Sequence, residues 1–274
     1  MTLRVCVLGD AHIAAFALAA EQNALRWPDL RVDVFGVPGD GLSRFDVVED
    51  GEGGRFASTD AELRARVMAW IGRDSFALSE YAAFVVTGAG ASILPVVEMF
   101  SQLSSLAMPS VEDAMTALEA GQPLASTAML RAMTREALGG SGTYDLARKF
   151  QTASIKAPVF LASAPRPAAE PDISVGSADL RARGDGPFVS EWYDREAEAM
   201  CQALGVRYLP QPRQSRAPDG LFTHVSYMRA LASTEAVSED KGRPDASDLW
   251  YANAAYACLV IDQLAHALNL IIVS

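Results

Sequence analysis

The chain has 274 residues, half of them hydrophobic, with a formal charge of −11. That length and composition argue against overall disorder and allow a substantial core, in one large α/β domain or two small ones. The acidic balance, without any lysine- or arginine-rich run, excludes nucleic acid and anionic membrane surfaces as expected partners, and no window approaches the ~18 apolar residues of a membrane span.

Leu3 to Leu8 is apolar except for Arg4, with Val5 to Leu8 unbroken, and reads as a strand buried on both faces. Gly9-Asp10 breaks it, and the alanine-rich run Ile13 to Ala20 then predicts a helix. Residues 10–12 therefore fall at the C-terminal edge of a sheet and on a helix N-terminus, where open α/β sheets hold ligands and backbone N–H groups favour anions.

Leu30 to Val37 is a second strand, followed by a glycine-rich loop containing Gly39 and Gly41. Phe45–Glu49 and Arg55–Ser58 flank Asp50 to Gly54 as a small hairpin. Thr59 or Asp60 caps a helix to about Arg73, with Leu63, Val67, Met68, Trp70 and Ile71 read as its core residues. Tyr81 to Thr87 is the next central strand, ending at Gly88-Ala89-Gly90.

From 93 to about 156 the pattern is helical, with one start near Ser110, another at Pro123, and Gly139 to Gly142 as a break. This stretch is too long for a simple crossover and reads as a helical insertion covering the strand ends. Pro158 to Leu161 resumes the sheet, so a single domain over 1–274 is expected. Ala164 to Gly186 reads as a long surface loop, Phe188 to Leu204 as a helix whose start holds Trp192 and Tyr193, and Val206 to Leu209 as a last strand. Asp248 opens a final helix to about Leu268. Alternating strands and helices predict an α/β fold, a central parallel sheet covered on both faces.

The N-terminus enters a strand directly, without a visible secretory signal, and the three widely spaced cysteines read as small buried hydrophobes, so the cytoplasm is the expected compartment. No metal-ligand spacing, phosphate loop or dinucleotide fingerprint is present, so neither metal nor cofactor is expected.

Three separated pieces meet at one sheet edge in this reading: Gly9-Asp10-Ala11-His12, Gly88-Ala89-Gly90-Ala91, and Asp248-Leu249-Trp250-Tyr251-Ala252-Asn253. Their order resembles the SGNH (GDSL-type) hydrolases, esterases and acetyl hydrolases with a flavodoxin-like three-layer α/β/α fold. In that family a Gly-Asp-Ser motif carries the nucleophile. A glycine after the second strand and a Gly-x-Asn after a middle strand form the oxyanion hole. A late Asp-x-x-His supplies the base and its orienter.

The resemblance places Ala11 at the nucleophile position, Gly90 at the asparagine position and Tyr251 at the base position, each substituted, and retains Asp248 and Gly39 or Gly41. Alanine has no group that attacks a carbonyl. A tyrosine phenol ordinarily titrates near ~10, so at neutral pH it donates a proton more readily than it takes one. His12, beside the nucleophile position, is the candidate to accept a proton or hold a ligand, since a helix N-terminus favours the neutral ring. His266 lies too far along the last helix, and His224 reads as a loop residue.

Asp10, Gly39, Gly41, Gly88, Gly90 and Asn253 are the candidate binding residues. The expectation is a protein that holds a small acyl, carboxylate or glycan ligand without serine-based hydrolysis. The alternatives are an esterase whose serine 11 has been exchanged for alanine, and different acid–base chemistry through His12 or Tyr251.

Overall fold

The computed structural model describes residues 2–10, 12–37, 41–48, 54–88, 90–119, 121, 123–153, 155–168, 175–228 and 251–273. The first half runs β1 (Leu3–Gly9), α1 (Ile13–Gln22), β2 (Leu30–Gly36), β3 (Asp46–Val48), β4 (Arg55–Ala57), α2 (Ala61–Ile71), β5 (Phe76–Ala77) and β6 (Ala83–Thr87). Four helices follow: α3 (Leu94–Gln102), α4 (Ala114–Glu119), α5 (Thr127–Gly139) and α6 (Gly142–Thr152). The chain closes with β7 (Val159–Ala162), α7 (Val175–Ala182), α8 (Gly186–Ala203), β8 (Arg207–Leu209) and α9 (Ala254–Ala267).

Five strands join in the order β2-β1-β6-β7-β8, and every pairing is parallel. Counted along this sheet alone, the order is the flavodoxin-like doubly wound one. Side chains alternate between its faces as a strand requires. Val5, Val7, Ala83, Val85, Phe160 and Ala162 pack under α1 and α9. Cys6, Leu8, Phe84, Val86, Val159 and Leu161 pack under a layer that includes α2, α3, α6 and α8. Burial on both faces is the reason these strands are apolar without interruption.

The hairpin forms as the sequence predicts, β3 against β4, and gains a third strand, β5. Phe56 of β4 and Phe76 of β5 fasten this small sheet to the main core. Phe56 lies 5.3–5.6 Å, ring to ring, from Phe35, Phe45, Phe76 and Phe150. Asp60 caps α2 by accepting from Leu63 N, and Gly72 ends it in the left-handed region.

Several expectations need correction. The helix placed at Pro123 begins at Thr127, because the Ser126 side chain accepts from Met129 N. Pro123 instead accepts a backbone bond from Ser104 N. The segment read as a surface loop, 164–186, contains α7 and buries Ala164, Arg166 and Ala168. Trp192 and Tyr193 are buried well inside α8, not at its start. Met68 and Trp70 are nearly half exposed; Trp70 lies over Gly36, where a Cβ would come within 2.8 Å of its ring. Finally, α9 starts at Ala254 and not at Asp248. No helix among the described residues is long and apolar enough to cross a membrane.

Candidate ligand site at the carboxyl edge of the sheet

Strands β1, β2 and β6 end together, and the turns that leave β1 and β6 touch. Val37 N donates to Gly9 O across the first pair. After β1 the backbone tightens: Asp10 Oδ1 accepts from His12 N at 3.1 Å, and Asp10 O accepts from Ile13 N. The same carboxylate rests on the glycine that ends β6. Gly88 is buried at φ +76°, and a Cβ there would lie 2.5 Å from Asp10 Oδ1. A side chain at 88 would thus meet both a backbone penalty and the carboxylate.

Gly90 follows at φ +91°, exposed, and the chain turns through Ser92 N to Gly90 O into α3. The helical segment 93–156 reaches this loop through the start of α6. Thr143 Oγ1 donates to Gly88 O, and a Cβ at Gly90 would meet Ser141 Cβ at 3.4 Å. The Ser141 hydroxyl is buried and makes no hydrogen bond. From α8, Tyr193 donates to Ala91 O at 2.9 Å, and burial pushes its phenol up to about 12, so it stays protonated.

The chain preceding the last helix returns to the first turn. The His12 and Tyr251 rings lie 5.4 Å apart, tilted by 53°, and both residues are half-buried. The N-terminal turn and the approach to α9 therefore share one end of the sheet. Asn253 is the N-cap of α9: its side-chain oxygen accepts from Tyr256 N, and Nδ2 donates to Ser226 O and Met228 O. Its amide is engaged in tying the helix to the 225–228 turn. Gly41 is buried against the core, where a Cβ would meet Val37 at 2.5 Å and Leu63 at 3.1 Å. Ala11, Gly39 and Asp248 lie outside the described residues.

Asp10, His12, Gly88, Gly90 and Tyr251 are thus gathered at one sheet edge, and Gly41 and Asn253 have structural partners of their own. Among the described residues no group of three or more His, Cys, Asp or Glu is placed to hold a metal ion. The other two histidines are local: His224 pairs with Ser226 Oγ at 2.7 Å, and His266, exposed, with Asp262 O at 2.9 Å.

No family model matches the chain, and no curated protein does. Solved structures similar to it include an extracellular lipase from Streptomyces rimosus, at 10% identity and a TM-score of 0.44, covering 97% of this chain and 99% of that one. A carbohydrate acetylesterase family member from Sinorhizobium meliloti matches at 11% identity and 0.39, covering 98% of each chain. Phospholipase A1 from Streptomyces albidoflavus matches at 10% and 0.41, covering 97% and 99%. The named neighbours are acyl-ester hydrolases. At such identities and scores the likeness assigns no function.

Sequence reasoning missed Ser141 and Thr143. A serine and a threonine opening a helix read as ordinary capping residues, and nothing local in the sequence says that this helix abuts the glycine loop.

Proposed function

We propose that the chain is an SGNH hydrolase-like protein that binds a small acyl, carboxylate or glycan ligand at this sheet edge without serine-based hydrolysis. The observation that carries the reading is the close pairing of His12 with Tyr251, in a chain whose residue preceding His12 in sequence is alanine. The parts that shape the edge are in place, namely the tight turn at Asp10, the glycine that accommodates its carboxylate and the unpartnered Ser141 hydroxyl. The groups that would attack and relay a proton are replaced.

Residues of a catalytic unit act non-additively, so restoring one restores little. Ala11→Ser should therefore leave p-nitrophenyl acetate turnover about a thousandfold or more below that of an intact serine hydrolase. Full turnover from that single change would refute the proposal in favour of an esterase lacking only its serine.

The ring contact also favours a second reading, in which Tyr251 donates a proton and His12 accepts one in a different reaction. A substrate screen in which activity is found, and is abolished by both Tyr251→Phe and His12→Ala, would establish that reading in place of ligand holding.

A further inference from the structure

A second polar centre lies between α8, the turn after β8, and α9. Arg166 follows β7 and is 1% exposed. Its backbone is fixed from both sides: Arg166 N donates to Gln211 Oε1 at 3.2 Å, and Arg166 O accepts from Thr223 Oγ1 at 2.6 Å. One guanidinium nitrogen, Nη1, donates to Ser190 Oγ at 2.7 Å. Nε and Nη2 have no hydrogen-bond partner, and the nearest carboxylate oxygen, Asp194 Oδ1, lies 3.7 Å from Nη2.

That carboxylate is already engaged. Asp194 Oδ2 accepts from Arg216 Nη1 at 2.7 Å and Oδ1 from Tyr208 OH at 2.9 Å. Two guanidiniums thus share one carboxylate in a setting where Arg216 and Asp194 keep 16% and 19% of their side-chain exposure. Burial draws the Arg166 pKa down, but an arginine retains its charge at neutral pH. The floor therefore holds one positive charge in excess, and buried charge without a partner is costly.

In front of this centre lies a cleft of about 940 Å³ lined by Ser190, Asp194, Tyr208, Gln211, Arg216 and Gln263, among others, with Arg166 behind that lining. Its lining also includes two glutamates, Glu191 and Glu198, and two arginines, Arg195 and Arg213. All four are exposed, so water and salt screen them and they add no net sign. Gln263 Oε1 is a buried acceptor without a donor. The cleft thus lacks an anion on one wall and a donor on another, in a chain whose overall charge is −11.

We propose that this cleft is a second ligand site, separate from the sheet edge, for a small oxyanion (a carboxylate or a phosphate) that also carries a hydroxyl. Arg216 makes the contact, Arg166 supplies the charge behind it, and Gln263 takes the hydroxyl. Asp194 competes with the ligand for both guanidiniums.

Calorimetric titration of the full chain with inorganic phosphate and with glycerate, at constant ionic strength in chloride, tests this and separates the two sources of the oxyanion. Saturable binding of at least one is expected. Arg216→Gln should weaken it about tenfold or more, the loss typical of a hydrogen bond to a charged group. Asp194→Asn should tighten it several-fold by removing the competitor. Gln263→Leu should reduce glycerate binding to the level of acetate.

If Arg216→Gln does not fold, tightening by Asp194→Asn carries the test. Binding no stronger than that of chloride, or equal in wild type and Asp194→Asn, would overturn the proposal. So would binding that is lost in Tyr251→Phe and kept in Arg216→Gln, which assigns the anion to the sheet edge.

Discussion

Gly88 shows how much of the sheet edge hangs on a single residue without a side chain. Its φ of +76° costs an alanine roughly 1 kcal/mol, and the added Cβ would also press on Asp10 Oδ1 at 2.5 Å. That carboxylate holds the His12 backbone N–H, so the two turns are coupled through it. Gly88→Ala should cost about 1–3 kcal/mol in a urea unfolding curve. Asp10→Ala in the same chain should recover part of that loss, because residues in contact do not add. Strict additivity of the two changes would show that the carboxylate and the glycine are independent.

At this scale the sequence is readable where chemistry is local: a cap at Thr59 or Asp60 is visible in the residue types themselves, and Asp60 supplies it. The left-handed backbone of Gly88 and its contact with Asp10 come only from the folded chain. The residue types place the start of the final helix at Asp248, whereas the folded chain begins it at Ala254 with Asn253 as its cap, a geometry that depends on the 225–228 turn.

Among the elements, the small β3–β4–β5 sheet owes its place to rings and not to its few backbone bonds. Isolated short hairpins are marginal in water, and here Phe56 is fully buried among Phe35, Phe45, Phe76 and Phe150. Phe56→Ala should cost about 3–5 kcal/mol, read as a fall in the urea midpoint with an unchanged slope. A loss under ~1 kcal/mol would mean that the small sheet is dispensable to the core.

The parallel strands were legible because burial on both faces leaves an apolar run that no surface element shows. The 164–186 stretch was misread because its prolines, glycines and charges look like solvent-exposed loop. Arg166 is buried only because residues 190, 211 and 223, distant in sequence, converge on it. Trp70 was misplaced for the converse reason: helical spacing put it on the inner side, but β2 is the sheet's edge strand and leaves that flank half open.

For the molecule as a whole, the opposing electrostatic terms can be weighed by their range. Thirty-four acidic residues face twenty-three basic ones, so long-range repulsion acts across the entire surface. Against it stand ion pairs such as Arg4–Asp33 and Arg26–Asp262, each at 2.6 Å with its arginine more than a third exposed. Exposed pairs contribute ~0–1 kcal/mol each and weaken with salt. The screening length falls from about 30 Å at 0.01 M salt to about 8 Å at 0.15 M. That change removes most of the long-range repulsion and leaves contacts at 2.6 Å largely intact.

The melting temperature at neutral pH should therefore rise by a few degrees over that interval, each kcal/mol being worth roughly 2–4 °C for a chain of this size. The same rise in Arg216→Gln protein would separate general screening from anion binding in the second cleft. A melting temperature that falls with salt would mean that the surface pairs, and not the excess negative charge, dominate the balance.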